Sequence, residues 1–421
     1  MDDVIVVGGG AAGMMAALAS ARAGARVLLL ERNEKLGKKL YITGKGRCNL
    51  TNDCTQDEFL RQVPRNPRFL FSALSAFTPQ DMMALMEGAG CPVTVQRGRR
   101  VFPASEKASD VTRALTRLMR DAGVTVRLNA RVARLWMEDH AVRGIILESG
   151  ERVPGAAVIL ATGGQSYPMT GSTGDGYALA MSAGHTVAAA RPVLSALETA
   201  EAWPCRLQGL SLRNVALTLR QGKRVLYQEL GEMLFTHFGV SGPLVLEMSC
   251  HLPEDLATAA VTLNLKPGLT PEQLDARLQR EFAAQSRKQL RNVMPALLPA
   301  RLAEIFPDLC GVDGCKACGQ LTRPEREALA AQMQSLPLVL RGLRPLAEAI
   351  VTRGGVAVKE VNPATMESKL VHGLYFAGEL LDVDAHTGGF NLQIAWSTGA
   401  AAGRAAGMRM KTAEPAVPGL P

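Results

Sequence analysis

The chain has little that would place it in a membrane or outside the cell. One stretch, Val4 to Ala21, is uncharged over nearly the length of a bilayer span. It opens with four β-branched residues, breaks at three glycines and continues in small residues, so it reads as strand, turn and helix. No other segment resembles a span, and no membrane partner is expected. Met1-Asp2-Asp3 lacks the basic start of a secretory signal, so the expected location is cytoplasmic. Eight cysteines in 421 residues then read as reduced thiols. No internal repeat is seen. Zinc is also not expected: Cys310, Cys315 and Cys318 supply three sulfurs with no histidine at a conventional spacing, and they read as free thiols on a glycine-bearing loop.

What is present describes a globular protein of two or three domains, 47% hydrophobic and 20% charged. The 41 glycines suit a backbone that approaches a bulky ligand closely. The net charge of +8 is moderate, but the arginines cluster: Arg61, Arg65 and Arg68, then Arg97, Arg99 and Arg100. Arg113, Arg117 and Arg120 are spaced to share one helical face. A polyanionic substrate is compatible with this pattern; charge alone does not establish it.

Val4-Ile5-Val6-Val7 is a short apolar run suited to a buried parallel strand. It leads into Gly8-Gly9-Gly10-Ala11-Ala12-Gly13, which fits G-x-G-x-x-G, and then into the small-residue helix from Met14. A second strand, Arg26 to Leu30, ends in Glu31. Gly8 permits the tight turn, Gly10 admits a pyrophosphate, and Gly13 allows close contact of helix and strand. The helix N-terminus offers unpaired N–H groups and a partial positive charge to phosphates. Glu31, 18 residues beyond Gly13, is placed to accept hydrogen bonds from ribose hydroxyls. FAD and NAD both satisfy this much.

The continuation separates them. A simple NAD dehydrogenase would proceed to another strand and helix. Here Arg32 to Leu40 and Thr43-Gly44-Lys45-Gly46-Arg47-Cys48-Asn49-Leu50-Thr51-Asn52 form a basic, glycine-rich loop dense in hydrogen-bonding groups. This segment resembles the signature of the BaiN/RdsA-type family of FAD-dependent oxidoreductases. Similar segments extend over nearly the whole chain: Arg100-Val101-Phe102-Pro103, Ala156 to Gly164, Gly171 to Gly176, Phe235 to Pro243, Gly373 to Glu379, Asp382, Asp384, and Thr387 to Asn391. With the motif above, the resemblance implies FAD held by Gly8, Gly10, Ala11, Ala12, Gly13, Glu31, Arg32, Lys38, Gly44, Arg47, Cys48, Asn49, Val132, Thr162, Gly163, Gly164, Asp175, Gly378, Glu379, Asp382, Gly388, Gly389, Phe390 and Asn391. It also implies a last helix whose N-terminus points at the flavin and favours negative charge there. The chain departs mildly from the family pattern, with Ala385 for the usual glycine and Phe390 for a frequent tyrosine.

An α/β fold follows, with a Rossmann-type FAD domain split in sequence. Val124 to Leu128 is its third strand, and Arg131 to Val153 alternates and turns at Ser149-Gly150 as a β-meander does. That meander belongs to the FAD-type domain and independently favours FAD. The expected boundaries are 1–191 and 346–410 for the FAD domain, 192–268 with 336–345 for a β-rich insertion, 269–335 for a helical one, and 411–421 for a mobile tail. The resemblance implies that the β-rich part is barrel-like. Thr270-Pro271-Glu272-Gln273 is a capping box with proline at the first helical position, followed by Leu274, Leu278 and Phe282 on one face. Arg280, Arg287, Lys288 and Arg291 are expected to form a further basic helical face.

Four residues are candidate acids. Cys48 lies in the flavin loop, where Lys45 and Arg47 would bear on its thiol; equally, it reads as a small buried hydrophobe. His237 stands in a turn-rich segment of the insertion, His386 beside the flavin glycines, and Tyr167 just after Gly164. His386 could equally cap the following helix. A second G-x-G-x-x-G is absent, so NADH or NADPH is expected to bind transiently at the flavin face. A C-x₄-C near the N-terminus is absent too, which argues against redox-disulfide chemistry. The resemblance implies hydride transfer from NAD(P)H through FAD to an activated C=C, either the uracil of a ribosomal RNA uridine or a 3-oxo-Δ4 bile acid. The arginines favour RNA over a small-molecule enone. An oxidase, or a FAD-binding protein without turnover, is the alternative of another class.

Overall fold

Val4 to Val7 lie in the middle of a sheet, buried on both faces, which is why the run is apolar without alternation. Their strand, Asp2–Val7, pairs in parallel with Val27–Leu30 on one side and with Arg152–Leu160 on the other. Thr125–Arg127 adds beyond Val27–Leu30, at the expected third strand, and Leu374–Phe376 adds beyond Arg152–Leu160. All these pairings are parallel. Arg152–Leu160 is shared: its last residues belong to the parallel sheet, while Arg152 to Pro154 pair antiparallel with Ala141–Leu147. Ala141–Leu147 in turn pairs with Val132–Glu138, completing the meander. The result is a Rossmann-type α/β domain.

The computed structural model describes residues 2–412. The chain forms two compact units, one up to Pro192 and again from Pro345, the other Val193–Arg344. In the first unit the opening helix, Ala11–Arg22, packs against the last, Phe390–Thr412. Small residues make this contact unusually close. A Cβ at Gly399 or Gly403 would overlap the carbonyl oxygens of Ala12 or Ala16, and one at Gly407 would lie 2.8 Å from Ser20 O. The Ser20 hydroxyl also donates to Gly403 O at 3.0 Å. Residues 12, 16 and 20 meet 399, 403 and 407 in the same order, so the helices run parallel. The last helix therefore begins about eight residues ahead of the first, or ~12 Å. Lys411 and Thr412, expected in a tail, end this helix; the rest of that expected tail lies outside the described residues.

The second unit contains an antiparallel sheet of seven strands, in the order Leu336–Leu338, Ala259–Asn264, Ser211–Gln221, Arg224–Thr236, Gly239–Ser241, Leu197–Thr199, Leu340–Leu343. Its two edge strands are separated in the chain by Val339 alone, so the sheet curls back on itself. Helices Pro271–Ala284, Ala300–Leu309 and Arg323–Gln334 accompany it. Thr270 and Gln273 form the capping box, and Leu274, Leu278 and Phe282 are buried. The expected basic helical face does not form. The helix ends at Ala284, so Arg280 is separated from Arg287 and Lys288 in the following turn, and Arg291 belongs to the short helix Leu290–Val293.

The close helix pair yields a prediction. Gly403→Val should destabilise the first unit by about 2 kcal/mol or more, because the obstacle is backbone and cannot rotate away. Urea denaturation followed by circular dichroism checks it; an unchanged midpoint would show that the helices are not in contact at this position.

Candidate active site

The turn after the first strand divides its glycines by task. A Cβ at Gly8, where φ is +104°, would sit 2.6 Å from Ala161 O, and one at Gly13 would overlap Gly8 O. Gly10 differs: a Cβ there meets nothing within 4 Å, and its φ of −80° strains no residue. The space in front of the first helix is thus open at Gly10 alone of the three. No side chain caps that helix and no acid lies in its first turn. An uncapped N-terminus facing open space fits a pyrophosphate.

Glu31 is buried beside it. Its carboxylate accepts from Gly9 N–H at 2.7 Å, and from the backbone and side-chain N–H groups of Asn33 at 2.8 and 2.7 Å. A carboxylate offers about four acceptor positions, so one remains on the oxygen that Gly9 engages. Glu31 therefore both shapes the turn and can still take a ribose hydroxyl. Arg32 donates to Thr173 (2.6 Å) and Asp175 (2.9 Å), and Arg131 reaches Asp175 at 3.0 Å. Burial alone would raise the Asp175 carboxyl, but the hydrogen bonds from Arg131 and Thr173 and the charges of Arg32 and Arg131 outweigh it and hold it low. Val132 is buried at the start of its strand. Lys38 turns towards Glu34 (3.1 Å).

Its neighbour Lys39 points inward, a position that sequence reasoning missed. The Lys39 ammonium donates to Glu379 (2.6 Å) and Ser166 (2.7 Å), while Glu379 also accepts from Ser166 (3.0 Å) and from Thr352 N–H (2.8 Å). Segments that follow three different strands, together with Thr352 in the strand Val351–Val356, thus meet at one carboxylate. Gly164 permits it, since a Cβ there would lie 2.5 Å from the Thr352 hydroxyl. Gly163 adopts φ +75° against Ser172, and the buried Thr162 hydroxyl has no hydrogen-bond partner among the described residues. Gly378 lies against Ala12, and its N–H donates to Thr398 of the last helix (2.9 Å).

At the N-terminus of the last helix the chain is held by asparagines. Asn391 accepts from Ala385 N–H (3.0 Å) and donates to Ala385 O (2.7 Å). Asn52, also missed, donates to both Gly98 O and Gly388 O at 3.0 Å. Asn49, with its amide nitrogen facing Thr51 O and Val101 O, accepts from Gly389 N–H at 3.0 Å. In this orientation the polar atoms of Asn49 secure the glycine loop. Phe390 packs edge-on against Phe59, ring centroids 5.1 Å apart. Asp382 is held by Arg65 in a two-point contact of 2.5 and 2.7 Å, and Asp384 by Arg353 at 2.9 and 2.7 Å. Gly44, at φ +57°, turns the loop towards Arg47, whose guanidinium faces Glu106 at 3.1 Å.

The four candidate acids separate. Cys48 is wholly buried at φ +62°, and burial pushes its thiol up to about 12. Burial dominates, and the hydrogen bond with Thr43, which lowers the value, does not offset it. Tyr167 is half-buried in a left-handed conformation, its phenol raised by burial and by Glu348. His386 lies on the loop that Asn391 ties to the last helix, and its backbone N–H donates to Gln62 O (2.9 Å). His237 belongs to the second unit, exposed at a hairpin tip with its ring edge-on to Phe238. Among the thiols of that unit, Cys310 is raised to about 12 by burial, Cys318 is buried and Cys315 is exposed.

The arginine clusters are unequal. Arg65, expected among surface cations, is turned to Asp382. Arg113, Arg117 and Arg120 do share the exposed face of helix Ala108–Asp121, where Arg113 faces Asp110 and Arg117 donates to Ala89 O. Arg97, Arg99 and Arg100 are exposed in one turn. No helix among the described residues is long and apolar enough to cross a membrane.

A family model described as the HI0933-like protein Rossmann domain matches residues 2–405. The chain belongs to this family of FAD-dependent oxidoreductases. This HI0933-like chain is 32% identical over 417 residues to the 3-dehydro-bile acid delta(4,6)-reductase of Clostridium scindens, covering 97% of itself and 100% of that protein. It is 31% identical over 398 residues to the ribosomal RNA dihydrouridine synthase of Escherichia coli, covering 94% and 96%. Among solved structures, a quinol-fumarate reductase with menaquinol molecules has a TM-score of 0.54 at 18% identity, covering 99% of this chain and 72% of that one. The 3-ketosteroid delta1-dehydrogenase of Sterolibacterium denitrificans has 0.52 at 16%, covering 96% and 99%. These structures share the fold.

Two measurements check the site. Gly10→Val should leave the fold intact and abolish FAD binding, whereas Gly13→Val should damage the fold itself, because of these two positions Gly13 is the one without room for a side chain. Circular dichroism and released-flavin content distinguish them; a Gly10→Val protein with full FAD would place the pyrophosphate elsewhere. In the folded protein at pH 8, iodoacetamide should label Cys315 and leave Cys48 untouched, as mass spectrometry of tryptic peptides would show. Rapid labelling of Cys48 would restore it as a candidate acid.

Proposed function

We propose that this HI0933-like protein uses NADH or NADPH and FAD to reduce a C=C conjugated to a carbonyl, and that the substrate is a uridine of ribosomal RNA, giving dihydrouridine. Bound FAD supplies the hydride chemistry. The protein contributes the open turn at Gly10, the node around Glu379, and the parallel helix pair with staggered N-termini. The N-terminus of the last helix favours negative charge at the far end of the site. His386, on the loop leading into that helix, is the proposed proton donor to the α-carbon. Three observations support this reading: its place on that loop, the burial of Cys48, and the activities of the two full-length relatives.

The choice of RNA is carried by the exposed arginines of the first unit, since phosphate contacts dominate affinity for nucleic acid. A second reading, reduction of a bile-acid-like enone, is favoured by the 32% identity to the Clostridium scindens enzyme.

Loss of one dihydrouridine from ribosomal RNA in a deletion strain, read by nucleoside mass spectrometry, is the expected result. An unchanged dihydrouridine content would move the assignment to the enone. With purified protein, His386→Gln should lower product formation by about 100-fold, within the usual range for a proton donor, and leave flavin reduction by NADH unchanged. Equal turnover in both proteins would remove His386 from the chemistry. Peroxide release without reduction of either substrate would indicate an oxidase.

A further inference from the structure

We propose that the turn Arg97-Gly98-Arg99-Arg100 is an anion-binding site beside the flavin end, and that it takes the phosphates flanking the target uridine. The inference rests on the RNA reading above and adds the place where the substrate is held. Its starting point is Asn52. One amide nitrogen donates to Gly98 O in the turn and to Gly388 O at the mouth of the last helix, so the two carbonyls are at most two hydrogen-bond lengths apart. The turn is also built into a small sheet. Thr51 and Asn52 pair with Val101 and Arg100, Asp53 N–H donates to Arg99 O at 2.8 Å, and Asn49 links Val101 O to Gly389 N–H. The arginines and the glycine loop therefore belong to one rigid piece.

The backbone of the turn presents the side chains outward. Gly98 has φ +76° and Arg99 φ +57°, a left-handed pair that is unfavourable for arginine and needs support from its surroundings. Arg97, Arg99 and Arg100 are all exposed as a result. Their internal ties are weak or partial. Arg99 donates to Glu58 at 2.7 Å, but both partners are open to solvent, and such pairs contribute little. Arg100 donates to Arg97 O through Nε, leaving the terminal nitrogens outside that bond. Planar guanidinium groups with outward donors match phosphate oxygens.

The other exposed arginine face is that of helix Ala108–Asp121. In its helix, Thr112 donates to the Tyr41 hydroxyl at 2.9 Å and packs on Gly37, whose N–H donates to Gly9 O at 2.8 Å. Through Thr112, on its buried side, that helix reaches the pyrophosphate turn, and through Arg117, which donates to Ala89 O, it reaches the segment before strand Val93–Gln96; the 97–100 turn is the one joined by Asn52 to Gly388.

The test uses full-length FAD-loaded protein and a fluorescein-labelled single-stranded RNA oligonucleotide containing uridine. Anisotropy is measured over a series of KCl concentrations. Replacing Arg97, Arg99 and Arg100 together by Gln should weaken binding at least tenfold and reduce the salt slope by about 2, as loss of three phosphate contacts on a single strand requires. On a ribosomal RNA fragment KM should rise, while kcat at saturating RNA and flavin reduction by NADH stay unchanged. Lysine at the same positions should restore the slope. Arg97→Glu, which leaves the Arg99–Glu58 pair in place, serves if the triple variant loses FAD. Unaltered affinity and slope in these variants would overturn the proposal. So would a loss seen only on replacing Arg113, Arg117 and Arg120 by Gln. If the unaltered protein binds no RNA, the substrate reading itself fails, and this outcome differs because it needs no variant.

Discussion

The close parallel packing of the first and last helices is the constraint on which the site depends. Ala12, Ala16 and Ser20 meet Gly399, Gly403 and Gly407 at distances that exclude a Cβ from the glycines. One helix carries the open turn at Gly10 and the other carries Gly388 and Gly389, so their stagger fixes the separation of the two ends of the site. About 12 Å of stagger, from ~1.5 Å of rise per residue, suits a cofactor that extends from a pyrophosphate to a flavin ring. A larger residue at any of the three glycines would push the helices apart. It would separate Gly378 from Ala12 at the same time, because those residues already touch across the same seam.

Local patterns made the first half of this legible. A strand, a glycine turn, a helix and an acid follow one another within 31 residues, and each has its own sequence signal. The meander was readable for the same reason, with its turn at Gly150, where φ is +86°. The capping box at Thr270 likewise needs only four consecutive residues. Pairings over long separations were not legible. Lys39 and Glu379 lie 340 residues apart, Arg65 and Asp382 317 apart, and Asn52 and Gly388 336 apart. Nothing in either local sequence identifies its partner; the parallel sheet and the helix seam bring them together. Lys38 and Lys39 show the limit well. Adjacent, chemically identical and both partly exposed, one faces the neighbouring Glu34 and the other the distant Ser166 and Glu379.

Charge was legible only in part for a related reason: of the clustered arginines, Arg65 is turned to a carboxylate. Arg65, Arg353, Arg131 and Arg32 are all held by carboxylates, two of them in two-point contacts with Asp382 and Asp384. Asp382 and Asp384 are themselves buried and would be destabilising without those partners. The sequence shows the number of arginines, whereas the available positive surface depends on which of them face a carboxylate. The basic face expected around Arg280 failed differently, because the helix ends at Ala284 before the other three cations are reached.

A FAD domain of this kind serves both candidate substrates equally well, since a uracil and a 3-oxo-Δ4 steroid each present a C=C conjugated to a carbonyl. The discrimination must come from what is attached to that group. A bile acid carries one terminal carboxylate, for which a single two-point arginine contact is sufficient. A ribosomal RNA carries a phosphate at every nucleotide, and its affinity grows with the number of cations that can follow the backbone. Three arginines in four residues, on a turn strained into a left-handed conformation and joined through Asn52 to Gly388, exceed what one carboxylate can use. Several exposed cations on one short turn are what a chain of phosphates can use, and this is the physical basis of the proposed RNA reading.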